Sequence, residues 1–488
     1  MYKYDRRTFL QATGSLAASF LVQFSASAQA SHKKPNVLFI AVDDLRPQLG
    51  CYGHHHIKSP NIDRLARRGL RFDRTYCQQA ICMASRASLL SGYRPDKGQI
   101  YKNGPLFTHV PEALTVNQHF LNNGYEAITM GKIYHHHSDY QQGWSRPAFF
   151  PEGQWQGRGY LSKEAQRLAL EYNKKNPNAQ RRGVGPAFEH PEVPDNAYPD
   201  GLIAEHAIRE LNRLKDKTFF LAVGFKKPHL PFNAPQKYWD LYTDKQINLA
   251  DNPFAPKNAP PEALTNWGEL RAYHGMPKKG PVSDDLARKL IHGYYACVTY
   301  TDAMIGKVLG ELDRLKLSDN TIVVLWGDHG WKLGDHGMWC KHTNFELDTH
   351  VPMIISAPGM KSRGQSTAAL TEFVDIYPTL CELCGLPLPR HLEGTSLAPL
   401  LDNPDLPWKK AAFSQYPRGR LMGYSMRTDR YRFTQWQEIK SGTVKSRELY
   451  DHQKDPEENF NIADNSENKD LVANLAKMLR AGYQAAKP

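Results

Sequence analysis

Asn36-Val37-Leu38-Phe39-Ile40-Ala41-Val42-Asp43-Asp44 is a short run, apolar after its first residue, that ends on two adjacent carboxylates. An unbroken apolar run of this length, rich in β-branched and aromatic side chains, is the pattern of a strand buried on both faces, and such strands belong to parallel sheets covered by helices. Further short apolar runs follow at Tyr125 to Met130, Thr218 to Phe225, Thr321 to Trp326 and Val351 to Ser356. Helical patterns separate them: Ile62 to Arg68 between Asn61 and Gly69, Glu112 to Asn123, Leu202 to Leu214, and a long tract from about Asp284 to Leu315. This alternation predicts an α/β fold, an α/β/α sandwich around a large, mostly parallel sheet. From about Ser414 the runs become short and alternating, which predicts a smaller C-terminal α+β subdomain with an antiparallel sheet over residues 411–488 after a main domain of 31–410. The segment Ala234 to Pro281, rich in Pro, Asn and Ala, reads as a long surface excursion.

The chemistry-bearing residues fall at one kind of place. Asp43 and Asp44, Lys132 and His135, His229, and Asp328 and His329 all lie just past the C-terminal end of a predicted strand. Parallel strands present those ends on one edge, where open α/β sheets form their ligand crevice. Carboxylates gathered there repel one another unless a cation intervenes, and hard oxygen ligands suit Ca²⁺ or Mg²⁺. Cys82, at the start of the helical stretch Cys82-Met83-Ala84-Ser85-Arg86, would sit among unpaired backbone N–H groups at the positive end of a helix, which favours an anionic atom, and Arg86 adds a fixed charge. By itself a structural buried cysteine explains Cys82 equally well.

Composition narrows the partners. With 62 Lys and Arg against 50 Asp and Glu, the net charge of +12 favours anionic partners. The basic residues are scattered and no helix-turn-helix, RNP or zinc-finger spacing is present, which argues against nucleic acid and for an acidic substrate. Residues 1–30 read as an export signal: Asp5-Arg6-Arg7-Thr8-Phe9-Leu10 is a twin-arginine pattern, a weakly apolar run follows, and Ala28-Gln29-Ala30 is a small-x-small cleavage site. The chain is thereby expected in the periplasm or outside the cell, carried by the twin-arginine translocase, with no stretch apolar enough to span a membrane. Seven cysteines, an odd number, in a chain folded before export argue against a disulfide framework, and Cys381-x-x-Cys384 reads as two core residues.

Cys82-x-x-Ser85-Arg86 followed by Leu90-Ser91-Gly92, with Val42-Asp43-Asp44-Leu45-Arg46-Pro47 upstream, resembles the signature of the type I sulfatases of the alkaline phosphatase superfamily. Gly50-Cys51-Tyr52-Gly53, Ser59-Pro60-Asn61-Ile62-Asp63, Gly131-Lys132, Lys227-Pro228-His229, Asp328-His329-Gly330-Trp331 and Gln415-Tyr416-Pro417 follow in the order of the iduronate 2-sulfatase branch. The resemblance covers roughly residues 35–460. It implies that a maturation enzyme oxidises Cys82 to formylglycine, whose hydrate is the nucleophile, and that Asp43, Asp44, Asp328, His329 and residue 82 hold one Ca²⁺ per chain. Arg86, Lys132 and Lys341 would neutralise the sulfate and the hydrate. His229 would protonate the leaving sugar oxygen, and His135 would assist collapse of the hydrate. Lys132, His229, Trp331 and Lys341 are the implied substrate contacts, with Trp331 either stacking on a sugar face or packing under the metal loop. The implied substrate is a sulfated, uronic-acid-containing polysaccharide or its oligosaccharides. A phosphoester or phosphonate hydrolase of the same superfamily, and a silent carbohydrate-binding protein with Cys82 unmodified, are the alternatives. The family usually carries Pro two residues after the cysteine; this chain has Ala84.

Overall fold

A computed structural model describes residues 34–151, 159–178 and 183–488; the expected export signal lies outside them. Seven strands build the main sheet: β1 (Asn36–Val42), β2 (Leu70–Tyr76), β3 (Glu126–Gly131), β4 (Phe219–Phe225), β5 (Thr321–Gly327), β6 (His350–Ser356) and β7 (Ser366–Glu372). Their spatial order is β7-β2-β6-β5-β1-β4-β3. Only β6 runs against the rest, pairing antiparallel with β5 and β2. The apolar run that opens the chain is therefore wholly buried, flanked in parallel by β4 and β5.

Alternate side chains of β1 enter two separate cores, as a strand period of two requires. Leu38, Ile40 and Val42 face one core and Val37, Phe39 and Ala41 the other. Helix α1 (Pro60–Arg68), α3 (Pro199–Leu214) and α4 (Asp284–Arg314) bury Leu65, Leu211 and Ile305 in the first core. Helix α2 (Cys82–Ser91) buries Leu89 and Leu90 in the second. The pairing register then fixes the site: Val42 lies opposite both Phe225 and Gly327, and Gly131 opposite Gly224. The residues that follow these positions leave the sheet at one level. Gly131 has φ +66, and a Cβ on it would stand 2.1 Å from the Gly224 carbonyl oxygen, so only glycine lets Lys132 turn inward there.

Several expected boundaries shift. The helix expected from Glu112 runs over Val116–Asn122, because the chain turns through Pro111 to Thr115 first. Glu372 ends β7 and, with Asp375, forms a capping box at the turn that leads into the helix Ile376–Leu383, which carries Cys381. The stretch from Ala234 to Pro281 is not a surface excursion throughout, since Tyr238, Trp267, Leu270 and Tyr273 are buried in the first core. All seven cysteines are free, with Cys381 and Cys384 packed in the second core. Among the described residues no helix is long and apolar enough to cross a membrane.

The C-terminal strands β8 (Ala411–Arg418), β9 (Leu421–Thr428), β10 (Tyr431–Glu438) and β11 (Val444–Asp451) form an antiparallel meander. Helix α5 (Lys469–Ala481) covers Met426, Phe433 and Leu449 on one face. The other face sends Trp436 and Tyr450 into the first core. Arg432 on β10 bonds Glu458 at 2.6 Å and also pairs with Glu346, just before β6, with its side chain 1% exposed. Removing a buried cation strands its partners, so Arg432→Ala should lose about 3–5 kcal/mol of stability in denaturant titration, well beyond a surface substitution.

Candidate active site

Three carboxylates meet at the strand ends. Asp43 follows β1 and its N–H still bonds the Phe225 carbonyl, 3.2 Å away. Asp44 turns through a left-handed conformation, φ +62, rare for a side-chain-bearing residue, and its N–H donates to Asp328 Oδ1 at 2.9 Å. Asp328 follows β5, with its own N–H on the Val42 carbonyl at 3.1 Å. The hydroxyl of Tyr294, from α4, donates to the Asp44 carbonyl at 2.9 Å and pins the turn. All three acids are wholly buried. Strain of this kind persists where its surroundings hold it in place, and it concentrates at functional sites.

Basic groups line the same cluster. Arg86, one turn into α2, donates from Nε to Asp328 Oδ2 at 2.8 Å and from Nη2 to Asp43 Oδ1 at 3.3 Å, with its guanidinium 5.3 Å from the Trp326 ring. Lys132 Nζ bonds Asp43 Oδ2, and Lys341 Nζ bonds both Asp44 oxygens at 2.9 and 3.1 Å. The carboxylates respond unequally. Burial works against ionisation of Asp43, but Lys132, His229 and Arg86 hold its carboxyl well below the usual range. For Asp44, burial together with repulsion from Asp43, Glu269 and Asp328 outweighs Lys341 and pushes the carboxyl well above it. Asp44 is thus the acid whose charge the protein leaves uncompensated.

His329 shows what would compensate it. Its Nδ1 lies 2.9 Å from the Gly330 carbonyl, to which it donates, leaving Nε2 bare. Nε2 faces Asp44 Oδ1 at 3.2 Å, Asp328 Oδ1 at 3.6 Å and Cys82 Sγ at 3.2 Å. Burial pushes the His329 pKa down to about 4, so the ring is neutral at pH 7 and presents a lone pair toward carboxylate oxygens. Such an arrangement is repulsive on its own and suits a divalent cation held by oxygen and imidazole. Ligand atoms of Asp43, Asp44, Cys82 and His229, and separately of Cys82, Asp328 and His329, lie within 4.8 Å of one another. The donor set fits a metal ion.

Cys82 is the first residue of α2 and 3% exposed. The anionic atom expected at this helix start is not a thiolate. Burial, then repulsion from Asp43, raises the thiol pKa well above its ordinary value despite Lys132 and Lys341. His229 donates from Nδ1 to the Leu230 carbonyl at 2.6 Å, and its Nε2 lies 3.9 Å from Asp44 Oδ2. Of the other expected residues, His135 stands exposed at the edge of the cluster. Trp331 is 1% exposed and lies beneath Lys341, whose Nζ is 4.7 Å from its ring, so it packs under the metal loop and offers no open face to a sugar.

One acidic residue in the site went unread in the sequence. Glu269, in the short helix Gly268–Arg271, places Oε1 at 3.2 Å from His229 Nε2 and Oε2 at 3.1 Å from Lys341 Nζ. His342 Nε2 is 3.7 Å from Glu269, and its Nδ1 meets the Tyr416 hydroxyl at 2.6 Å. Tyr416 belongs to a motif stretch, but nothing in the pattern around Glu269 marks it.

Residues 35–386 match the sulfatase family model, and residues 334–485 match that of the C-terminal region of N-sulphoglucosamine sulphohydrolase. Iduronate 2-sulfatase of Mus musculus is 33% identical over 94% of this chain and 97% of its own. Among solved structures, BT4656 in complex with its substrate D-glucosamine-2-N,6-O-disulfate superposes with TM-score 0.72 and 23% identity, over 93% of this chain and 99% of that one. The phosphonate monoester hydrolase of Silicibacter pomeroyi superposes with TM-score 0.74 and 22% identity, over 93% and 96%. The fold is thus the alkaline-phosphatase-like sandwich, shared across esterases of different substrates. With most of its length matched, and a relative of this identity spanning nearly all of it, the chain belongs to the sulfatase family and is a sulfuric ester hydrolase.

Proposed function

We propose that the protein is an exported, Ca²⁺-dependent sulfatase that removes sulfate from a sulfated, uronic-acid-containing polysaccharide or its oligosaccharides, after maturation of Cys82 to formylglycine. The observation that carries this reading is the buried meeting of Asp43, Asp44, Asp328, His329 and Cys82 with three basic side chains around it. The similarity to iduronate 2-sulfatase supports a 2-sulfated uronate as the substrate class. The twin-arginine pattern supports export through the twin-arginine translocase to the periplasm or beyond.

Asp43, Asp44, Asp328 and His329, with residue 82, would hold the cation, which supplies Lewis-acid polarisation of the nucleophile and of a sulfate oxygen. Formylglycine would supply a hydrated aldehyde as nucleophile, where the buried neutral thiol is a poor one. Lys132 and Lys341, which pair with Asp43 and Asp44, would bind the sulfate when those acids hold the cation, and Arg86 is fixed behind them by Asp328. His229, anchored through Nδ1, points Nε2 into the pocket; when the ring is protonated, that atom delivers a proton to the departing sugar oxygen. His135, at the mouth, is placed for proton traffic with solvent.

Incubation with a panel of sulfated oligosaccharides should release inorganic sulfate, and peptide mass spectrometry should find formylglycine at position 82 in the active protein. Cys82→Ala should cut turnover at least about 10³-fold while leaving the melting temperature of the metal-free protein unchanged; full activity with an intact thiol would overturn the mechanism. Chelation should lower the melting temperature and Ca²⁺ should restore it. Because ionised Asp44 is the uncompensated charge, Asp44→Asn should leave the metal-free protein as stable as the parent or more so, and should abolish the calcium-dependent rise.

A further inference from the structure

Glu269 is an acid of the pocket that, among the described residues, stands outside both clusters of ligand atoms at the metal site. Its carboxylate instead touches the two donors assigned to the ester: His229 Nε2 at 3.2 Å, and Lys341 Nζ at 3.1 and 3.3 Å from its two oxygens. It is held from behind. Leu270 and Tyr273 anchor its segment in the core, the Arg271 guanidinium lies 3.2 Å from the Trp267 ring, and Tyr416 braces His342 against it. The Glu269 side chain is 14% exposed, enough to reach the pocket and too little to swing freely. Burial opposes its charge, but Lys341 keeps the carboxyl well below its usual range, so it is an acceptor with no proton to give.

A sulfate ester whose bridging oxygen lies at hydrogen-bond distance, about 3 Å, from His229 Nε2 brings its sugar ring against Glu269. A carboxylate beside a sulfate weakens binding by repulsion unless the same ligand donates a hydrogen bond to it. On a pyranose the nearest donor is the hydroxyl on the carbon next to the sulfated one. We propose that Glu269 is a specificity-determining residue whose carboxylate accepts a hydrogen bond from that vicinal hydroxyl, so the enzyme selects ring sulfates flanked by a free hydroxyl. The inference rests on the sulfated-sugar reading above and narrows it. A hydrogen bond to a charged acceptor is among the stronger ones, and a site built around a substrate hydroxyl discriminates steeply against an analogue lacking it.

The test measures kcat/KM for two substrates, a methyl hexuronoside 2-sulfate with its 3-hydroxyl and the 3-deoxy counterpart, on the mature enzyme, Glu269→Ala and Glu269→Gln. The parent should prefer the hydroxylated sugar by about 100-fold or more. Glu269→Ala should narrow this to under about tenfold by losing far more rate on the hydroxylated sugar than on the 3-deoxy one, and Glu269→Gln, which keeps an acceptor oxygen, should fall between. An equal loss on both sugars would assign Glu269 only to holding His229 and Lys341, and overturn the proposal; so would a preference unchanged by either variant. Sulfate release from neither sugar by the parent enzyme would overturn the 2-sulfated uronate reading itself, and the inference with it.

Discussion

Everything in this molecule is arranged around like charges that cannot be hydrated. Asp43, Asp44 and Asp328 are buried together, and the Coulomb energy of two such charges about 4 Å apart is roughly 4 kcal/mol even at an effective dielectric of 20. Lys132, Arg86 and Lys341 offset that repulsion only in part, and Glu269 adds a further negative charge against Lys341. The remainder falls on Asp44, whose ionisation burial already disfavours. A bound cation is the simple physical relief, and the neutral His329, turned by its bond to the Gly330 carbonyl so that Nε2 faces the acids, is oriented to share in holding it.

The sheet makes this clustering possible by register. Val42 sits level with Gly327 on one side and Phe225 on the other, so the first residues beyond β1 and β5 emerge side by side. A strand slipped by one residue would turn Asp43 toward the opposite face and send the β1 apolar side chains to the wrong cores. The two apolar cores that read out the alternation of β1 therefore also fix the geometry of the acids, and stability and function rest on the same pairing. The C-terminal sheet adds to the pocket rather than standing apart from it. Tyr416 on β8 reaches His342, which borders Glu269.

The residues that carry local signals were legible in the sequence. β1, β4 and β5 are continuous apolar runs and β3 a shorter one, and the acids, Lys132 and the histidines just past the ends of these four strands follow from the parallel-sheet rule. β2 and β7 were not legible: Leu70–Tyr76 interleaves Arg and Asp with its apolar residues, and Ser366–Glu372 is mostly small and polar, so burial there comes from neighbours that sequence spacing cannot reveal. Glu269 was hidden for a related reason. It lies in a proline-rich tract whose course is set by Trp267, Leu270 and Tyr273 finding places in a core built by distant segments. Trp331 illustrates the converse limit, since a tryptophan at a metal loop fits a sugar platform or a packing role equally well, and only its burial beneath Lys341 decides.

Cys82 shows why position in a helix does not by itself set reactivity. The first turn of α2 offers it unpaired N–H groups and the positive end of a dipole, an effect of about 0.3–1 kcal/mol that reaches about 2 in favourable buried geometries. Two lysines also lower its pKa. Against these stand complete burial, the largest influence on the thiol, and Asp43 and Asp328, which the same register brings beside it. The result is a neutral thiol in a pocket built for anions, so the groups that would steady an oxyanion are present while the native side chain does not ionise to use them. That imbalance would be resolved if residue 82 carried oxygen in place of sulfur, because a hydroxyl-bearing group would be a hard ligand to a cation, whose charge, together with those of Lys132 and Lys341, would favour its deprotonation.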